Sequence, residues 1–197
     1  MIGNTKEDIL LTSLHLFARD GYEAVSVSQI AGELGMTKGA LYRHYRNKRD
    51  IFLHIVKRME QRDSEQAESH DMPEGSIEEM PEKYRKISIE DFADYGKAMF
   101  SYWTEDDFAS SFRKMLTLEQ FRSDEMQELY QQYLVAGPVG YVQDLFESMG
   151  VKDAKVRAVQ FYANMFLFYS MYDGAADKET VKEQFACSVN EIVQIIR

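Results

Sequence analysis

Hydrophobic residues recur at intervals of three and four along nearly the whole chain, and no alternating run of the kind that forms a β-strand is present. This spacing predicts an all-α protein of about nine helices. The predicted helices run from Thr5 to Gly21, from Ser26 to Gly35, from Thr37 to about Tyr45 and from Asn47 to about Met59, and then over roughly 88–104, 106–121, 123–148, 152–173 and 177–196.

Short polar side chains mark the starts of three helices near the amino terminus. Ser26 and Gln29 have the spacing of a capping box, in which each side chain bonds the other residue's backbone N–H. Thr37 and Asn47 are placed to cap the next two helices. Gly35 ends the helix that Ser26 starts, so the turn to the next helix is short. A short turn containing glycine sets two helices steeply across each other, as in a helix-turn-helix.

The stretch 61–86 is acidic and contains two prolines and a glycine, which predicts a linker that is mobile in part. We therefore expect two domains, one over 1–60 that contains the helix-turn-helix and a helical bundle over 61–197. Farther along, the Gly-Pro pair at 137–138 predicts a kink in the long helix 123–148.

Charge is divided unevenly between these two domains. The whole chain has 23 Lys and Arg against 33 Asp and Glu, a formal net charge of −10, which by itself argues against a nucleic-acid partner. Residues 1–60 nevertheless hold nine basic and seven acidic side chains, and the twelve residues from Lys38 to Arg49 hold five basic and no acidic ones. This asymmetry indicates that the two domains have different partners.

The helix-turn-helix at about 26–45 is the segment best suited to DNA, because the second helix of such a pair lies in the major groove. Gly39 and Ala40 are small enough to let the helix approach the groove closely. Lys38 and Arg43 can reach guanine edges or phosphates, and a tyrosine hydroxyl can bond a phosphate. The predicted DNA-contacting set is Ser26, Ser28, Thr37, Lys38, Gly39, Ala40, Tyr42, Arg43, His44 and Lys48, with Leu41 and Tyr45 pointing into the core.

The same residues carry a resemblance to a known family. The eleven residues from Gly35 to Tyr45, followed by Asn47-Lys48-Arg49, are similar to the TetR family of bacterial transcriptional regulators, and the likeness covers about the first 55 residues. The resemblance implies an obligate dimer, DNA contacts from the second and third helices and from Lys48, and a ligand pocket in the larger domain. One departure is Val25-Ser26, where many members carry a pair of threonines, so only one hydroxyl is available to cap.

Residues 88–173 are rich in methionine and aromatic side chains. The simplest interpretation is that they fill a helical core. Methionine also adapts to irregular cavities, and a buried tyrosine hydroxyl needs a partner, so the same composition suits a small-molecule effector site. The residues predicted to line such a cavity are Tyr95, Met99, Trp103, Phe112, Met115, Tyr133 and Asn164.

The helix at 152–173 is apolar almost all round after Gln160, so burying it requires more surface than its own domain supplies. The final helix, 177–196, carries a second apolar stripe. Two such helices from each of two chains can form a four-helix bundle with two-fold symmetry, so we expect a homodimer through these helices. The alternative is that both are core helices of a monomer.

Other function classes lack their characteristic residues. The single cysteine, Cys187, cannot form an intrachain disulfide, and the four histidines show no metal-ligand spacing. No phosphate-binding glycine loop or nucleophile motif is present, so neither an enzyme nor a bound cofactor is expected. No segment has the length of a membrane span and the amino terminus lacks the pattern of a signal peptide, which together predict a cytoplasmic protein without a membrane partner.

The sequence thus predicts a ligand-responsive, sequence-specific DNA-binding transcriptional regulator, acting as a repressor that a small molecule releases from a pseudo-palindromic operator. The alternative is a helical ligand-binding or scaffolding dimer whose DNA-binding head is unused. The two differ in salt dependence, because a protein that contacts several phosphates loses DNA affinity steeply as salt rises.

Overall fold

Helices form throughout the part of the chain that the computed structural model describes, residues 5–196, and no β-strand occurs within it. The all-α prediction is confirmed. The first four residues, on which the signal-peptide prediction partly rests, lie outside the described part. In chain order the helices are α1 (Thr5–Asp20), α2 (Val27–Glu33), α3 (Lys38–Leu41), α4 (Lys48–Ser69), α5 (Pro81–Tyr84), α6 (Ile89–Glu105), α7 (Asp107–Glu119), α8 (Asp124–Leu134), α9 (Ala136–Ser148), α10 (Ala154–Gly174) and α11 (Lys178–Ile196).

The helices pack into two compact units. The first contains the chain up to Asp63 and also Asp107–Tyr130, and the second contains Ser64–Asp106 and the chain from Gln131 onward. Helix α4 runs through residue 60, the predicted boundary between the DNA-binding domain and the ligand-binding domain. The two units are defined by packing alone, so the assignment of one function to each side of residue 60 stays a prediction.

Helix α1 supplies one wall of the core of the first unit. Its predicted inner stripe, Leu10, Leu14 and Phe17, is at most 4% exposed, and the helix packs against α7. Beyond its end, the Tyr22 ring lies 5.1 Å from the Phe17 ring and 5.3 Å from the Phe52 ring, measured between centroids. This aromatic cluster ties the turn that follows α1 to the first half of α4.

The predicted linker over 61–86 is wrong in most of its length. Helix α4 continues to Ser69, because the residues after 60 are mostly Glu, Gln and Arg, which are strong helix formers. The loop that follows is held by two tyrosine hydroxyls of the second unit: Tyr141 donates to the carbonyl oxygen of Pro73 and Tyr84 donates to that of Gly75, both at 3.0 Å. The prolines and glycine there mark a fixed turn.

The long helix predicted over 123–148 is broken rather than kinked, and the break is at Val135, three residues before Pro138. Proline has no N–H to offer the carbonyl four residues earlier, so the helix cannot bond the Leu134 oxygen. The Tyr162 hydroxyl of α10 donates to that buried oxygen instead, at 3.0 Å. The bond that proline removes is thus replaced by one from a neighbouring helix.

The two last helices differ in what they expose. The apolar stripe of α11, Val181, Phe185, Val189 and Val193, is buried in its own unit, where the Phe185 ring stacks on Phe100 of α6 at 4.2 Å. The expectation that this stripe is free for a partner chain is therefore wrong. Helix α10 does leave large apolar side chains exposed: Val156, Val159, Phe166, Leu167 and Met171. We call these five residues the α10 face.

The side-chain carboxyl group of Asp63, in α4, is largely buried. The residue as a whole is partly exposed, but its Oδ1 atom is buried and has no hydrogen-bond partner among residues 5–196. Burial raises the pKa of Asp63 to about 7, and the neighbouring Arg62 guanidinium offsets only part of that rise.

The break before α9 leads to a prediction about two glycines of that helix. A Cβ atom on Gly137 would lie 1.9 Å from the backbone oxygen of Gln132, whereas one on Gly140 would meet nothing within 4 Å. Gly137→Ala should therefore lower the free energy of unfolding by roughly 1–3 kcal/mol. Gly140→Ala should raise it by about 1 kcal/mol, because alanine is the better helix former. Urea unfolding measures both; equal effects of the two substitutions would contradict the close approach at Gly137.

A second prediction concerns pH. Because the pKa of Asp63 is raised on folding, the folded chain keeps a proton that the unfolded chain releases above about pH 4. The stability that this proton confers is complete at low pH and is lost as pH rises through 7, a loss of about 4 kcal/mol at most. Asp63→Asn should remove this part of the pH dependence of unfolding between pH 5 and 8. The exposed Asp8→Asn should keep it, and identical slopes for wild type and Asp63→Asn would refute the assignment.

Candidate nucleic-acid interface

The starts of α2 and α3 are fixed by local hydrogen bonds. Ser26 Oγ accepts from the N–H of Gln29 at 3.2 Å, and Gln29 Oε1 accepts from the N–H of Ser26 at 2.7 Å, which confirms the predicted capping box. In the turn, Gly35 has a φ of +63°, a left-handed conformation that glycine adopts without strain. Thr37 Oγ1 then accepts from the N–H of Ala40 at 3.1 Å. These bonds set where the second helix of the pair begins.

Helix α3 is shorter than the predicted helix from Thr37 to about Tyr45. Only Lys38–Leu41 is α-helical, and residues 42–44 continue as a tighter turn, in which His44 N–H bonds the Leu41 oxygen at 2.9 Å. The inward residues are as predicted: Leu41 is fully buried and Tyr45 is 3% exposed. The Tyr45 hydroxyl donates to the backbone oxygen of Lys6 at 3.2 Å, which anchors the end of this segment to α1.

The outward face of this segment matches the predicted one in exposure. Thr37, Lys38, Gly39, Tyr42 and Arg43 are exposed, Ala40 and His44 are partly exposed, and Ser26 and Ser28 are exposed at the start of α2. The face therefore presents cations, hydroxyls and a small-residue centre to solvent. Contact of each residue with DNA stays a prediction.

Three of the five basic residues between Lys38 and Arg49 have no ion-pair partner within the described part of the chain. These are Lys38, Arg43 and Arg46, all of which are exposed. The Lys38 ammonium lies 5.7 Å from the centroid of the Tyr42 ring. An unpaired cation at a surface keeps its full attraction for a phosphate, so these three supply the positive potential of the face.

Lys48, predicted to contact a phosphate, is already engaged. Its Nζ donates to the backbone oxygen of Tyr22 at 2.7 Å and to that of Glu23 at 3.3 Å, and it lies 4.3 Å from the centroid of the Tyr22 ring. An ammonium has three donors, so one remains, and the nearest charged acceptor to it is the exposed Glu23 carboxylate, whose Oε2 lies 3.9 Å from Nζ. The side chain is 22% exposed. Lys48 therefore fastens the start of α4 to the turn before α2, whatever else it binds.

Arg49 pairs with Glu125 of α8, which sequence reasoning did not anticipate. The guanidinium and the carboxylate form two hydrogen bonds, one of them between Nη1 and Oε2 at 2.7 Å, and the side chains are 44% and 45% exposed. The hydrogen bonds from Arg49 lower the pKa of Glu125. No local signal could have shown the pair, because the two residues are 76 positions apart.

The seven residues predicted to line an effector cavity lie in four helices. Tyr95, Met99 and Trp103 are on α6, Phe112 and Met115 on α7, Tyr133 on α8 and Asn164 on α10. Phe112 and Met115 are fully buried in the first unit, and the other five belong to the second. Asn164 Oδ1 accepts from Ser188 Oγ at 3.1 Å, while its buried Nδ2 has no hydrogen-bond partner among residues 5–196. Their role as one ligand site stays a prediction.

Residues 5–196 contain no group of three or more His, Cys, Asp or Glu side chains arranged to hold a metal ion. Within the same residues, no helix combines the length and the apolar character needed to cross a membrane.

Comparisons with known proteins bear on the amino-terminal segment and on the fold separately. The model of the family described as bacterial regulatory proteins, tetR family, matches residues 9–55. Over 48 residues the chain is 44% identical to the uncharacterized HTH-type transcriptional regulator YerO of Bacillus subtilis (strain 168). That match spans 24% of this chain and only 17% of YerO, so it concerns a small part of each protein.

Solved structures extend the likeness to the whole fold. A transcriptional regulator of the TerR/AcrR family from Aquifex aeolicus VF5 superposes with a TM-score of 0.70 at 16% identity, covering 96% of this chain and 99% of that one. SmeT, the repressor of the Stenotrophomonas maltophilia multidrug efflux pump SmeDEF, gives 0.64 at 16% identity, covering 98% and 90%.

At such identities the superpositions establish the fold, while the matching helix-turn-helix segment carries the sequence signature. The sequence of residues 9–55 is thus that of a tetR-family segment, and the chain as a whole shares the fold of these solved regulators.

Proposed function

We propose that this protein is a sequence-specific DNA-binding transcriptional regulator, a repressor that a small molecule releases from its operator. The single observation that carries the proposal is the exposed face of α3, where Lys38, Tyr42 and Arg43 point to solvent from a capped start while Leu41 is fully buried. A short rigid helix with cations and small residues outward is what a major groove about 12 Å wide admits.

Each residue of the face has a chemical role in this proposal. Arg43 and Lys38 can donate to O6 and N7 of guanine, the acceptors that distinguish a G·C pair in the major groove. Gly39 and Ala40 let the backbone approach the base edges. Residues at the rim bond phosphates and set the register without reading sequence: Ser26, Ser28, Thr37, Tyr42, His44 and Lys48.

Specific binding also calls for a second copy of the chain. The α10 face exposes five large apolar side chains, with Leu167 at 58% and Val156 at 57%. Burying such a face against its own copy gives a dimer with two-fold symmetry, and each chain then reads one half of a pseudo-palindromic operator. Because the apolar stripe of α11 is buried in its own unit, α10 supplies the apolar part of the proposed interface.

Release by a small molecule follows from linkage. A ligand lowers DNA affinity if it binds better to a conformation in which the spacing of the two α3 helices does not suit DNA. DNA then lowers ligand affinity by the same factor, and the coupling free energy between the two sites is typically about 1–3 kcal/mol. DNA favours half-sites about 34–36 Å apart or a multiple of that distance. Support for a ligand comes from the fold, since SmeT, a repressor, has been solved in complex with triclosan; this chain superposes on that complex with a TM-score of 0.70 at 16% identity.

The reading of DNA is tested by removing one arginine. Arg43→Ala should weaken binding to a duplex selected from a random-sequence library by about 1–3 kcal/mol and relax preference at one base pair. The control is Arg85→Ala, which removes an exposed arginine from the second unit and should change neither. Electrophoretic mobility shifts with a set of singly mutated duplexes measure both quantities. If the two variants behave alike, or if wild type shows no salt-dependent binding, the scaffolding alternative is favoured.

The dimer is tested by placing a charge on the α10 face. Leu167→Glu should convert the protein from dimer to monomer in sedimentation velocity, because a carboxylate at the centre of an apolar interface must be desolvated without a partner. The matched control is Leu118→Glu, which alters an exposed leucine of the first unit, 45% exposed, and should leave the dimer intact. A wild-type monomer, or a dimer that Leu167→Glu leaves unchanged, would refute this interface.

A further inference from the structure

Tyr22 lies in the turn between α1 and α2, and both its backbone N–H and its carbonyl oxygen are hydrogen-bonded to side chains. Its N–H donates to Oε1 of Glu119 at 3.0 Å, and its carbonyl oxygen accepts from Lys48 Nζ at 2.7 Å. Its ring lies between those of Phe17 and Phe52. All of these residues belong to the first unit, and Glu119 is 97 positions away from Tyr22 in the chain.

Glu119 is the last residue of α7 and only 2% exposed, which is unusual for a carboxylate. Burying a charged group is costly unless hydrogen bonds compensate for the lost water. The turn is shaped to admit it: a Cβ atom on Gly21 would lie 2.9 Å from Glu119 Oε1, and the φ of Gly21 is +87°. A glycine leaves room for the carboxylate, and the next N–H bonds it, so two neighbouring residues are fitted to one side chain.

Lys48 connects this turn to the face that is predicted to contact DNA. Two of its three donors are used on the carbonyls of Tyr22 and Glu23, so the position of its ammonium follows the position of the turn. The same turn leads into Ser26, which caps α2. A shift of the turn therefore moves a predicted phosphate contact and the first helix of the pair together.

We propose that Glu119 is a positioning residue for DNA binding: by holding Tyr22, it places Lys48 where it can contact a phosphate. This inference rests on the proposed DNA-binding function. It also gives α7 a part in release, because Phe112 and Met115, two of the predicted effector residues, precede Glu119 by seven and four positions on the same side of that helix. A ligand that displaces α7 moves the Glu119 carboxylate away from the turn and thereby lowers DNA affinity.

The test compares two substitutions of Glu119 in the full-length protein. The probe is a 30-base-pair duplex (about three helical turns, to span two half-sites) selected from a random-sequence library with wild type. Glu119→Gln keeps an acceptor oxygen for the Tyr22 N–H and should bind like wild type. Glu119→Met fills the same space without an acceptor and should bind roughly tenfold more weakly. The slope of log K against log salt should fall by about 0.9 for Glu119→Met, because one phosphate contact is lost.

Two further variants separate positioning from general loss of stability. Lys48→Met should show the same reduced slope, and the double variant Glu119→Met with Lys48→Met should show no further reduction, because both remove the same contact. Leu116→Ala removes a fully buried side chain of α7 that cannot hydrogen-bond, so it should lower thermal stability and leave the slope unchanged. If Glu119→Met does not fold, Gly21→Ala tests the same contact, because its Cβ would lie 2.9 Å from Glu119 Oε1; it should show the same reduced slope, and an unchanged slope would overturn the positioning role.

The outcomes distinguish the inference from the function on which it rests. Absence of any selected duplex for wild type would overturn the proposed DNA binding itself. Wild-type binding with an unchanged slope in Glu119→Met or in Lys48→Met would overturn the positioning role alone. The same result follows if Glu119→Gln is as weak as Glu119→Met, because the hydrogen bond from Tyr22 would then not be what matters.

Discussion

A helix of four residues has no stability of its own, and this constraint governs the reading face. Nucleating a helix fixes several backbone torsions for a single hydrogen bond, so Lys38–Leu41 persists only because its surroundings hold it. Thr37 bonds its first turn, and the buried side chains of Leu41 and Tyr45 fasten its inner side to the core. The positions of the outward residues therefore depend on the packing of the core of the first unit.

That core is built from segments distant in the chain. Residues 107–130 pack with the amino-terminal helices, and polar contacts join them, among them His15 with Asp107 at 2.8 Å, Tyr22 with Glu119 at 3.0 Å, and Arg49 with Glu125. The first and last involve exposed groups and contribute little to stability in water. The bond from Tyr22 to the buried Glu119 carboxylate is more sheltered from solvent than these two, so it couples α7 to the turn before α2 more firmly than they do.

Local features could be predicted from the sequence and long-range ones could not. The capping box at Ser26, the cap at Thr37 and the inward side of α3 depend on residues within a few positions, so their spacing suffices. The hydrogen bond that compensates for the break at Val135 comes from Tyr162, and the partner of Arg49 lies in α8; both require knowledge of which helices meet. The stripe of α11 shows the same limit, because an apolar stripe indicates burial without telling whether its own unit or another chain covers it.

The most direct test of the account is chemical probing of guanine N7, an atom that lies in the major groove, on a duplex selected by the full-length protein. We predict protection of N7 in two half-sites whose centres are about 34–36 Å apart, or a multiple of that distance, on one face of the duplex. Tight binding that leaves every N7 reactive would mean that α3 does not occupy the major groove, and would contradict the account.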